Sequence, residues 1–80
     1  MSRELTDDQF NQYRLDSTLL RIVRDANPDN DVRGIVVAWD DQHVLIRKRG
    51  SKNLLKLDRR YVYQPYTDTR AVPIQLDHEI

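Results

Sequence analysis

Residues 7–26 read DDQFNQYRLDSTLLRIVRDA, and the fold turns on where the helix that opens this stretch stops. Its start is well signalled. Thr6 with Gln9 three residues on makes a capping box, and Asp7 and Asp8 suit the positive end of the helix dipole. Leu5 before the cap and Phe10 in the second turn can close a hydrophobic staple, so the helix is expected to begin at Asp7. Its end is open to two readings. Leu15, Leu19, Ile22, Val23 and Ala26 share one helical face, which carries a single helix to the Asn27-Pro28 stop. Alternatively the helix breaks near Asp16-Ser17 and Thr18–Arg24 is a strand, which suits its Thr, Ile and Val.

Downstream the pattern changes period. Asn27-Pro-Asp-Asn-Asp31 is a loop dense in turn formers. Val32–Trp39 is apolar on both faces apart from Arg33, with Gly34 near its start, as a strand at the centre of a small, sharply bent barrel requires. Asp40-Asp41-Gln42 turns the chain into a second strand, His43–Arg49. Gly50-Ser51 fits a two-residue II′ turn, with glycine where positive φ is needed. That turn pairs Arg49 with Lys52, sets Ile46 against Leu55 and Val44 against Leu57, and puts four aliphatic side chains on one side. His43, Arg47, Arg49, Lys52, Lys56 and Asp58 fall on the other side, with Leu45 and Leu54. Arg59–Tyr63 continues as strand up to Pro65. The tail alternates Val72, Ile74 and Leu76 around Pro73, which suits an edge strand or an extended arm.

Eighty residues without cysteine allow one domain with a small core, and neither disulfides nor thiolate metal sites to staple it. At this size oligomerisation is a common remedy. The start of the chain has no apolar signal segment and no run approaches a membrane span, so a cytoplasmic protein is expected. The organisation expected is one domain over 1–80: helix 7–16, strands within 18–65, and an extended arm 66–80.

Net charge is zero but unevenly spread: residues 1–46 balance to −4, residues 47–60 to +6, and residues 61–80 to −2. A neutral total argues against a protein that coats nucleic acid broadly, and a local basic patch fits a directed contact. The patch also reads as a solvated edge whose lysines discourage aggregation. No enzyme class finds its residues here. Asp40-Asp41 is a turn pair whose side chains diverge. Nucleophile elbows and glycine-rich phosphate loops are absent. His43 and His78 lack the spacing of metal ligands, and His43 pairs more naturally with Asp58 across the strands. Neither a metal nor a cofactor is expected. Trp39, Tyr61 and Tyr63 fall on strands with core parity. Tyr66, past the proline, is the aromatic expected at the surface, where a base could stack on it.

The order helix, strand, acidic loop, glycine-bearing strand, basic hairpin and short last strand resembles the Sm-like fold, and most nearly its bacterial RNA-chaperone branch, the Hfq family. The residues that carry the resemblance are Gly34-Ile-Val36-Val-Ala-Trp39-Asp40 followed by Val44-Leu45-Ile46. Gln42 stands where that family stacks uridine on an aromatic. Leu55-Lys56-Leu57 replaces its tyrosine-lysine-histidine run, and Val44 the asparagine of the eukaryotic and archaeal members. The resemblance thus implies the scaffold and Lys56 without the uridine pocket, and it makes Thr18–Arg24 the first strand.

The fold expected is therefore mainly β with an N-terminal helix, a small bent antiparallel barrel of Sm-like or SH3-like kind. The alternative is α+β, a long helix 7–26 on a three- or four-stranded antiparallel meander. The function expected is non-enzymatic binding. Arg47, Lys48, Arg49, Lys52, Lys56 and Arg60 would meet the phosphate backbone of single-stranded RNA, with Tyr66 as stacker, in a homo-oligomer. The rival is a small adaptor whose basic face docks an acidic protein partner.

Overall fold

The computed structural model describes residues 5–71. Helix α1 spans Asp7–Asp16 and is followed by five strands: β1 Leu20–Val23, β2 Val32–Trp39, β3 His43–Lys48, β4 Leu54–Asp58 and β5 Val62–Pro65. All pair antiparallel in one sheet of order β4-β3-β2-β1-β5. Among the described residues the sheet does not close, and β4 and β5 are its two edges.

The capping box forms at Thr6, whose hydroxyl accepts from the Gln9 N–H while the Gln9 side chain accepts from the Thr6 N–H. Leu5 and Phe10 both reach the core. The helix ends at Ser17, which adopts a left-handed conformation (φ 50°) and donates to the Arg14 carbonyl, while the Thr18 N–H reaches that of Tyr13. The helical face that runs on to Ala26 is thus unused. Leu15, its first member, is 61% exposed, whereas Leu20, Ile22 and Val23 are buried as strand residues. Burial in a sheet outweighs a periodicity that local propensity only weakly supports.

The core is Phe10, Leu20, Ile22, Val32, Val36, Val44, Ile46, Leu57 and Tyr63. Phe10 brings the helix onto it, in edge contact with Tyr63 (centroids 5.2 Å apart) and tilted against Trp39 (5.9 Å). Trp39 and Tyr61 are half-buried and pack against the same cluster. Gly34 lies where β2 meets β3 at closest approach: a β-carbon there would collide with the Arg47 carbonyl oxygen and an Ile46 methyl group. A bulge at Val37 interrupts the β2–β3 pairing between Val36 and Ala38, which bends the strand and sharpens its twist.

The basic hairpin has the expected register, with Ile46 opposite Leu55, Val44 opposite Leu57 and His43 opposite Asp58. Its turn is wider than the two residues read from the sequence. Lys48 donates to the Asn53 carbonyl, and the Lys52 N–H closes on the Lys48 carbonyl. The loop is therefore residues 49–52, with Gly50 at φ 88° and Lys52 at φ 62°. The glycine does supply positive φ, but a second left-handed residue follows it. The register survives because both loops are centred on the same point between Gly50 and Ser51.

Of the arm expected over 66–80, residues 72–80 lie outside the described residues. Residues 66–71 fold back on the sheet. Asp68 donates to the Pro65 carbonyl, and the Gln64 amide clasps the Thr69 carbonyl and the Ala71 N–H at 2.8 and 2.7 Å. Arg70 then forms a two-pronged pair with Asp31, at 2.7 and 2.8 Å, and reaches the Asp25 carbonyl.

Candidate nucleic-acid interface

Directly paired residues of an antiparallel sheet point to the same face. β1–β5 pairing puts Arg21 beside Gln64, β1–β2 pairing puts Arg21 beside Arg33, and Arg49 donates its N–H to the Arg33 carbonyl across to β3. Arg21 and Arg33 therefore stand side by side on β1 and β2, one strand spacing of about 4.8 Å apart, and Arg49, just past the end of β3, continues the row. Tyr66 sits at one end of this row. Its ring lies 4.8 Å from the Arg21 guanidinium carbon and 5.7 Å from that of Arg33. The Arg33 Nη1 reaches the Tyr66 hydroxyl oxygen at 3.5 Å, the limit of a hydrogen bond.

The expected site residues divide by this geometry. Arg47 and Arg49 share the face of the row and are exposed, and Lys52 extends it at the hairpin tip. Lys48 alternates to the other side, opposite Gly34, and is half-buried. Lys56, opposite Leu45, lies further along β4 near the β2–β3 turn, where its charge helps hold the Asp40 carboxyl low. Arg60 is not gathered with the tip. It follows β4 at the far end of the hairpin, bonded to both oxygens of Asp58 at 3.1 and 2.9 Å. With the Arg60 N–H as a further donor, that pairing pulls the Asp58 carboxyl down to about 2. Tyr66 is half-buried between arginines and not free at the surface as expected.

Sequence reading missed Arg21 and Arg33. A usable signal was present: a β1–β2 hairpin centred on Asn27 places residues 21 and 33 opposite each other. It required choosing the strand for Thr18–Arg24 first.

Charge neutralisation separates the arginines further. Arg59 pairs with Asp7 at 2.7 Å, Arg60 with Asp58 and Arg70 with Asp31. Among the described residues, no carboxylate ion-pairs with Arg21, Arg33, Arg47, Arg49 or Lys52. Like charges directly opposite across strands are unfavourable, so the Arg21–Arg33 pair is held against its own repulsion, with the Tyr66 ring packed beside it. The two guanidinium groups, that of Arg33 foremost, lower the pKa of the phenol.

The remaining concavities are less distinctive. One is lined by Thr6, Asp7, Asp8, Asp41 and Arg59, another by Gln42, His43, Asp58 and Arg60 with their neighbours. Asp40 spends one carboxylate oxygen on the Gln42 and His43 N–H groups at 2.8 and 2.7 Å, which lowers its pKa. Among the described residues no three histidine, aspartate or glutamate side chains converge as a metal site, and no helix is long and apolar enough to cross a membrane.

Comparison with known proteins finds no family model, no curated sequence and no solved structure that matches this chain.

Proposed function

We propose that this chain is a non-enzymatic, cytoplasmic binding protein whose basic face holds single-stranded RNA by its phosphate backbone. The observation that carries the reading is the row Arg21, Arg33, Arg49, continuous with Arg47 and Lys52 at the hairpin tip and without carboxylate partners among the described residues. The element order shared with the Sm-like resemblance adds support, as analogy. Contacts of this type position a backbone without reading its sequence. The two edges left among the described residues, β4 and β5, and the small core favour a homo-oligomer built through those edges.

The test is a titration with labelled single-stranded RNA at two salt concentrations, beside an Arg47→Ala/Arg49→Ala/Lys52→Ala variant. With three to five phosphates engaged, the log–log salt slope is expected at roughly −2 to −3.5. The variant should lose much of that slope while melting as the wild type does, because exposed charges contribute little to stability. No RNA binding at low salt would remove the reading. A light-scattering mass of one chain would remove the oligomer.

One observation favours the adaptor instead. Leu54, opposite Arg47 on the same face, is 51% exposed, and Leu45 and Ile35 beside it are half-buried. A mixed apolar and basic surface suits a protein partner with an acidic rim. If RNA fails to bind, this reading leads.

A further inference from the structure

The sheet holds two arginines in direct register, and nothing among the described residues neutralises them. Among the described residues Arg21 makes a long contact with the Asp68 carbonyl, at 3.4 Å, lies over the Tyr66 ring, and joins Arg33 in lowering the pKa of that phenol. Among the described residues the Arg33 side chain makes one hydrogen bond, to the Tyr66 oxygen. Because that oxygen accepts from Arg33, the phenol hydrogen is left to donate, and among the described residues it has no acceptor. Two guanidinium groups and one hydroxyl thus converge with most of their donors unspent among the described residues, at the rim of a concavity that Pro28, Asp29, Asp31 and Arg70 also line. Arg70 does not share this state, since its charge is met by Asp31.

We propose that Arg21, Arg33 and Tyr66 form a phosphate site, in which one phosphate group takes hydrogen bonds from both guanidinium groups and from the phenol. Forked, charge-assisted donation is what makes arginine suited to phosphate. A bound dianion also relieves the Arg21–Arg33 repulsion, so the site is stabilised by its ligand. The proposal rests on the RNA reading only for the polymer. There it fixes the direction of the strand, which crosses β1, β2 and β3 at right angles from Tyr66 to Arg49 and Lys52. Two carboxylates of the same concavity oppose it: Asp29, exposed and not ion-paired among the described residues, and Asp31, whose charge is already met by Arg70. Asp68 lies on the flanking turn and offers its carbonyl to Arg21.

The experiment follows backbone amide and arginine Nε–H resonances of the full chain during three titrations: inorganic phosphate, a nucleoside monophosphate, and a single-stranded RNA of about eight nucleotides. All three should shift Arg21, Arg33 and Tyr66, and RNA alone should also shift Arg49 and Lys52. RNA should bind at least about tenfold more tightly than the monophosphate, because it adds charged contacts at the tip. A monophosphate that binds as tightly as RNA would overturn the polymer track and make a free nucleotide the ligand. Arg33→Gln should weaken phosphate binding about tenfold, and Tyr66→Phe by a few-fold, since one keeps a neutral amide and the other keeps the ring. Asp29→Asn should strengthen it.

Phosphate shifts confined to the hairpin tip, or an Arg33→Gln variant that binds phosphate like the wild type, would overturn the site. The two readings fail separately. RNA binding that survives Arg21→Gln and Arg33→Gln but not the tip variant leaves the hairpin reading and removes this one. Phosphate binding at Arg21 and Arg33 without RNA binding does the reverse.

Discussion

Arg59 and the Arg21–Arg33 pair show one side chain used in two ways. The Arg59 side chain is 11% exposed. It pairs with Asp7 at 2.7 Å, donates to the Leu5 carbonyl at 3.0 Å and the Asp40 carbonyl at 2.8 Å, and lies over the Phe10 ring at 5.1 Å. One guanidinium thereby ties the start of α1, the β2–β3 turn and the end of β4 together. Arg21 and Arg33, at the other end of the sheet, face each other with most of their donors unused. Local composition points the wrong way, since Arg59 lies in the most basic stretch of the chain and Arg21 in an acidic one. What distinguishes them is whether the fold supplies an acceptor for each donor.

Removing Arg59 should give the largest effect. Arg59→Ala strips two carbonyls and a carboxylate of their donor, and should destabilise by about 2–4 kcal/mol in a denaturant melt. A variant that melts within error of the wild type would erase the contrast with Arg21. Tyr63→Phe should cost less. The buried Tyr63 hydroxyl donates to the Asp58 carbonyl at 2.7 Å, and its loss is worth about 1 kcal/mol. Burial foremost, with Asp58 adding, raises the pKa of this phenol, so it should stay un-ionised at pH values where exposed tyrosines have titrated.

The Asp58–Arg60 pair gives a pH signature. Its carboxyl titrates near 2 in the fold against about 3.9 in an unfolded chain. A depressed carboxyl stabilises the fold above the unfolded value, and that contribution fades as pH falls from about 4 through 2. Carbon-detected titration should place the Asp58 midpoint near 2 in the wild type and measurably higher in Arg60→Ala. An unchanged midpoint would assign the depression to other groups. The smallest effect is expected at the opposite end. Arg21→Gln and Arg33→Gln should change stability by no more than about 0.5 kcal/mol, with either sign. A loss as large as that of Arg59→Ala would show that these arginines also hold the fold together.

The hairpin was legible because three local signals agree: glycine at a turn, apolar alternation on both arms, and charge on the opposite parity. Its loop was read too short because positive φ at Lys52 has no sequence signature. Lysine is not a residue that favours that region. The Thr18–Arg24 stretch stayed ambiguous because its aliphatics satisfy a helical face and a strand equally well. Only the core formed by Val32, Val36, Val44 and Ile46, which Leu20 and Ile22 join, decides between them. The site followed the same division. Arg47, Arg49 and Lys52 stand out as a local charge run, whereas Arg21, Arg33 and Tyr66 meet through pairings 12 and 45 positions apart. Sequence proximity puts Arg60 with the patch, whereas the length of β4 carries it to the other end of the hairpin.

The wide loop that keeps a narrow loop's register makes the hairpin tip interchangeable. Deleting Gly50 and Ser51 together leaves the same residues facing each other across β3 and β4, while deleting one of them slides a strand by a residue and exposes its buried side. Gly50 has open space around it, so the tip can also grow outward by residues added in pairs about the same midpoint. A library of tips exchanged between Arg49 and Lys52 would therefore vary the chemistry that the hairpin presents to solvent, on a sheet whose interior never registers the change.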